Sequence, residues 1–164
     1  MRNKQKGFSL IELLIVVAII LIIAAIAIPN LLRSKMAANE SSAVGSMRTI
    51  NTAEVSYATA YPATGFSTTL AQLGGVAPCA VAAPANACLI DNTLALAVAG
   101  APKSGYFFTY TPGAAVGGVT NVYTLLGTPS VAGTTGQRGF FTDQTGVIRY
   151  AISGAASVAS SPIQ

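Results

Sequence analysis

The chain has 164 residues, of which 52% are hydrophobic and only 9% charged; that leaves room for one modest globular domain plus an appendage and excludes a disordered polypeptide. Its formal charge of +4 comes largely from Arg2, Lys4 and Lys6, three of the nine cations. From Phe8 onward six basic side chains (Arg33, Lys35, Arg48, Lys103, Arg138, Arg149) face five acidic ones, so the body is nearly neutral, with no cluster to follow a phosphate backbone and no nucleic-acid site in view.

After the basic head comes Gly7, then FSLIELLIVVAIILIIAAIAIPN. Residues 13–32 are 20 consecutive positions without a charge, enough as a helix to cross a hydrocarbon layer of about 30 Å. The Lys/Arg head stays in the cytoplasm, which directs the C-terminus outward. Three arrangements compete: a secretory signal peptide cut after Ala25-Ile26-Ala27, a plain membrane anchor, and a short leader removed ahead of the apolar stretch. Glu12 separates them. A carboxylate in an apolar helix costs about 2.5–3.5 kcal/mol near the bilayer centre, less near an end, and the first two arrangements have no use for it.

The string Lys6-Gly7-Phe8-Ser9-Leu10-Ile11-Glu12-Leu13-Leu14 resembles the prepilin processing signature of type IV pilins and type II secretion pseudopilins. It agrees at the basic residue, the glycine, the aromatic, the small hydroxyl residue, the Leu-Ile pair and the glutamate. The resemblance implies that a membrane-embedded prepilin peptidase attacks the Gly7 carbonyl. Phe8 then becomes the N-terminus, and its amine is N-methylated by the same enzyme. Cleavage leaves an ammonium on an apolar helix, and Glu12 of a neighbouring subunit compensates it, which fixes the axial register of a homopolymeric helical filament. Pro29-Asn30 also resembles the family; a proline removes a donor and predicts a kink or loosened turn. The implied partners are copies of the chain, the peptidase, the inner-membrane assembly machinery and, before assembly, membrane lipid. The implied location is the inner membrane for the precursor and a cell-surface pilus afterwards.

Beyond Pro29, Met36, Ala43, Met47, Ile50, Tyr57 and Tyr61 recur on one helical face, with Arg33, Lys35, Glu40, Arg48 and Asn51 placed mostly off it. Tyr61-Pro62 with Gly65 is a stop signal, so one helix of roughly 80 Å spans about 8–60. Its first half has no partner in the chain and is to be buried in lipid or other subunits. Residues 62–100 read as loop, with at most one short helix; they include 70–73, the apolar run 94–99 and the two cysteines, Cys79 and Cys88. An oxidising compartment favours a disulfide between them, two reduced buried thiols being the alternative, and two thiols without histidine do not make a zinc site. Stretches 106–111, 122–126, 139–142 and 147–152 are rich in β-formers and bounded by turn residues, with a hairpin at 143–146. The expected fold class is α+β: a long N-terminal helix against a three- or four-stranded antiparallel sheet. The expected division is leader 1–7, apolar half-helix 8–29, amphipathic half-helix 30–61 and globular head 62–164.

The sequence contains no histidine, no paired carboxylates and no nucleophile–base set, and Asp91 and Asp143 are the outward acids left to consider. Asp143 suits a turn better than chemistry, and the Gly74-Gly75 and Gly117-Gly118 pairs are not phosphate loops. No enzymatic activity and no cofactor are expected. Among filament roles the pilus subunit leads. Major secretion pseudopilins tend to carry acidic calcium ligands and an Asp-Pro-Trp-Gly stretch, whereas this chain has no Trp and Asp143 as its only acid near the C-terminus. A minor pilin is a further alternative, and a monomeric membrane-anchored binding protein leaves Glu12 unexplained. Six Tyr and six Phe are ordinary content and give conduction along a fibre no weight.

Overall fold

The computed structural model describes residues 8–75, 79, 81–98, 100–152 and 154–163. In chain order it forms α1 (Leu10–Ala60), α2 (Leu70–Leu73), α3 (Asn92–Ala95), β1 (Tyr106–Pro112), β2 (Tyr123–Pro129), β3 (Gly139–Asp143), β4 (Arg149–Ala151) and β5 (Ser161–Pro162). The five strands make one antiparallel sheet in the order β1-β2-β3-β4-β5. The class is α+β, as the sequence predicts. By internal contacts the chain divides into two units, Met1–Lys35 and Met36–Gln164.

In the second unit, Ala43, Met47, Ile50 and Tyr57 are buried along one face of α1 and join a core with Tyr106, Phe108, Leu125 and Phe140 from the sheet. The predicted stripe is therefore the packing face, with Tyr61 partly buried against it. The helix stops where Pro62 cannot continue it: the Tyr61 N–H still reaches the Tyr57 carbonyl at 2.8 Å, and the Gly65 N–H closes back on Tyr61 at 3.1 Å.

Two residues on α1 depart from expectation. Glu40, placed off the stripe from sequence, is 7% exposed; four past Met36, three before Ala43 and seven before Met47, it lies on the same helical face. Its Oε1 accepts from the N–H groups of Gln137 (2.8 Å) and Arg138 (3.1 Å), and its Oε2 pairs with Arg138 Nε at 2.7 Å. Asn51 is half-buried and ties α1 to the sheet, donating to Thr142 Oγ1 at 3.0 Å and accepting from the Tyr123 hydroxyl at 3.0 Å.

Burial pushes the Glu40 carboxyl up, but hydrogen bonds from Gln137 and Arg138 and the guanidinium charge outweigh it and hold it below the ordinary value. Its stabilisation is present above the unfolded-state value and lost as pH falls through the lower, folded one. Glu40→Ala strands two backbone N–H groups and should cost about 1–3 kcal/mol, read as a lower denaturant midpoint. A midpoint equal to wild type would remove Glu40 from this role.

The sheet has one strand more than expected, because β5 is two exposed residues long and has no apolar alternation to announce it. Stretch 147–152 contracts to the three residues of β4. Stretch 122–126 extends to Pro129, because β2 pairs with β1 along its length, from Tyr123 opposite Pro112 to Pro129 opposite Tyr106. β3 is buried through Gly139, Phe140, Phe141 and Thr142, since it lies mid-sheet and residues 154–156 cross its outer face beside Gly139. Gly117 (φ 62°) and Gly118 (φ 86°) form the two-residue turn joining Val116 and Val119, a left-handed pair of conformations that glycine adopts without strain. The β3–β4 hairpin turns at 143–146 as predicted, with Gly146 at φ 74°. The run 94–99 begins within α3, which makes two short helices between 62 and 100 where the sequence predicts at most one; Asp91 Oδ1 caps α3 by accepting the Leu94 N–H at 2.8 Å.

Candidate assembly site

The candidate site is the start of α1. Gly7 lies outside the described residues. Phe8 is 78% exposed, Ser9 is the residue before the helix, and Glu12 is its third residue. The Glu12 Oε2 accepts the Ser9 backbone N–H at 3.0 Å, and the Leu13 N–H reaches the Ser9 carbonyl at 3.3 Å. This is the return arm of a capping box, in which a glutamate at the third helical position satisfies an otherwise orphan donor. The carboxylate also complements the positive end of the helix dipole. The Ser-x-x-Glu pattern of residues 9–12 carried that signal, and the sequence reading passed over it. The cap holds the carboxylate at the end of the helix nearest Phe8.

Along the span that follows, from Leu10 to Leu32, every Leu, Ile and Val is exposed, down to 46% at Val17. Apolar side chains cover the whole circumference, the pattern of a membrane span or of a helix sheathed by other helices. The run is long and apolar enough to cross a membrane.

Pro29 lies inside α1, which is unbroken through it, so the helix is not locally melted there. The proline does leave the Ala25 carbonyl without its usual donor. One turn on, the Ser34 hydroxyl donates to the Asn30 carbonyl at 3.0 Å, a back-bond that also favours bending.

Cys79 and Cys88 are joined in a disulfide, with Cα atoms 6.1 Å apart. The bond closes a short loop and restricts the unfolded chain by a few kcal/mol (on the order of 3). The two acids considered from sequence as outward candidates are both engaged locally: Asp91 caps α3, and Asp143 Oδ1 accepts the Thr145 N–H at 2.9 Å within the hairpin turn.

Residues 2–28 match the family model described as the prokaryotic N-terminal methylation motif. Curated relatives add to the likeness. The type IV wide pilus major component PilA4 of Thermus thermophilus is 63% identical over 41 residues, 25% of this chain and 30% of its own length. The type IV major pilin protein PilA of Myxococcus xanthus is 46% identical over 54 residues, 33% of this chain and 24% of its own. Over its N-terminal segment, the chain is similar to type IV pilins. A type IV major fimbrial protein FimA of Dichelobacter nodosus adds 54% identity over 52 residues, 30% of this chain and 33% of its own.

The chain thus matches a third or less of the length of these pilins. No solved structure matches it significantly.

Proposed function

We propose that this chain is the structural subunit of a type IV pilus, a building block without enzymatic activity that polymerises through the apolar half of α1. The single observation that carries the reading is an apolar helix exposed on every side with one carboxylate, Glu12, held at its head. Likeness to major pilins over a quarter to a third of the chain supports it.

The precursor is anchored in the inner membrane by this helix, with its C-terminus outside. Prepilin peptidase cuts between Gly7 and Phe8, and the Phe8 amine is methylated. Inner-membrane assembly machinery then transfers the helix from lipid into a bundle of identical helices. There the Phe8 ammonium meets the Glu12 carboxylate of another copy. Apolar packing along the span tolerates many axial offsets, whereas a buried ion pair penalises all but one. Residues 1–7 act as leader, 8–29 as the polymerising half-helix, 30–61 as the amphipathic half and 62–164 as the head. Pro29 lets α1 loosen on assembly, since the Ala25 carbonyl is already free of a helical partner.

The secretion-pseudopilin alternative loses ground because Asp143 serves the hairpin turn, and a minor pilin differs by abundance rather than by chemistry. Electron microscopy of sheared surface material tests the reading. Thin filaments that label with antibody to the head and vanish on deletion of the gene are expected. Surface material free of this chain, with the chain confined to a secretion apparatus, would overturn it.

A further inference from the structure

The head contains a second acid that assembly does not use. Glu54 on α1 is 0% exposed. Its Oε2 accepts the Ser67 N–H at 3.0 Å, and its Oε1 meets the Ser67 hydroxyl. The Tyr110 hydroxyl lies beside the same carboxyl and donates to the Ser67 carbonyl at 2.8 Å. The ionisable groups around it are Tyr57 on α1, Tyr110 on β1 and Tyr123 on β2, with Asp143 beyond Tyr123. Among the described residues none of these is a cation, in contrast to Glu40, which has Arg138. An ionised carboxyl so placed has hydrogen-bond donors but no counter-charge, and these donors offset only part of its desolvation cost. A neutral carboxyl avoids that cost: its proton fits between Oε1 and the lone pair of the Ser67 or Tyr110 hydroxyl, leaving every group in the cluster satisfied without charge.

We propose that Glu54 is a proton-dependent latch of the head: protonated, it closes the hydrogen-bonded cluster with Ser67 and Tyr110 and clamps the α1–α2 connection onto the sheet; ionised, it loosens that clamp. The connection is the segment to be released. Phe66 stacks edge-on against Tyr123 at 4.9 Å between ring centroids, and its N–H bonds the Thr120 carbonyl at 2.8 Å. Loosening Ser67 therefore weakens both the helix exit and the β1–β2 loop. Burial pushes the Glu54 carboxyl above its ordinary value, against the Ser67 and Tyr110 hydrogen bonds that pull it down. With the folded value raised, the stabilisation is complete below the unfolded value and is lost as pH rises through the folded one. The head tightens on acidification, opposite in sign to the contribution of Glu40. This device is independent of the pilus assignment.

The test is thermal unfolding of the full disulfide-bonded chain in detergent micelles, wild type against Glu54→Gln, from about pH 4 to about pH 8. Gln is neutral throughout, and Glu40 contributes equally to both proteins, so their difference isolates Glu54. The Tm advantage of wild type over E54Q should shrink steadily, by several degrees, as pH rises. A difference that stays flat or grows would overturn the latch. Should E54Q fail to fold, carbon-13 labelling of the glutamate carboxyls in wild type reads the same property. One of the three is expected to keep its proton well above the ordinary value of about 4.3; titration of all three at or below it would overturn the proposal.

Discussion

Replacing Glu12 by Ala should leave cleavage at Gly7–Phe8 largely intact and abolish filaments, or cut their yield to a small fraction. Two effects of Glu12 have to be separated, because its carboxylate also accepts the Ser9 N–H at the head of α1. Loss of a cap costs about 0.5–2 kcal/mol of helix stability, too little to unravel a helix held in lipid, where backbone bonds have no competitor. Loss of the counter-charge leaves an ammonium unpaired among apolar helices, a far larger penalty. Glu12→Gln distinguishes them. Gln keeps an oxygen for the Ser9 N–H and so preserves the cap, but it cannot neutralise the Phe8 amine. If charge compensation governs assembly, Gln should behave like Ala in a count of pili per cell. If capping governs it, Gln should restore filaments. Immunoblots of precursor and mature forms show whether processing was spared.

Phe140→Ala should be the most damaging single truncation in the head, at about 3–5 kcal/mol. Phe140 is 0% exposed near the middle of β3. Its ring lies 5.7 Å from that of Tyr106, and the Arg138 guanidinium sits over it at 5.7 Å. On the strands beside it stand Gly127 and Tyr150, and Gly127 has no side chain with which to fill a void. The neighbours cannot collapse inward without moving Met47 and Phe108, which already touch the space above Gly127. Domains of this size hold only about 5–15 kcal/mol in total. The variant should therefore unfold at a much lower denaturant midpoint with an unchanged slope. A shift worth less than about 1 kcal/mol would mean that β3 does not anchor the core.

The elements most legible in the sequence were those with a strong period or a punctuated end. The 3.6-residue recurrence of Ala43, Met47, Ile50 and Tyr57 located the buried face of α1, and Pro62 its end. The β-rich stretches bounded by Gly and Pro found four of the five strands. Glu40 and Glu54 fall on the buried period too, but a carboxylate is ordinarily expected on the outward face. What reverses that inference is supplied from far along the chain: Arg138, 98 positions from Glu40, and Tyr110 beside Ser67. Long-range partners leave no local trace. β5 and α3 escaped for another reason, being two and four residues long, shorter than any periodicity can register. At the candidate site the motif pointed to Phe8 and Glu12, while the cap that holds the Glu12 carboxylate is written in Ser9 and is the less conspicuous signal.

Mass spectrometry of the N-terminal peptide from sheared surface filaments tests the central claim most directly. The account predicts a peptide beginning at Phe8 and heavier than the bare sequence by one methyl group. A peptide beginning after Ala27, or one that retains Met1 through Gly7, would contradict it.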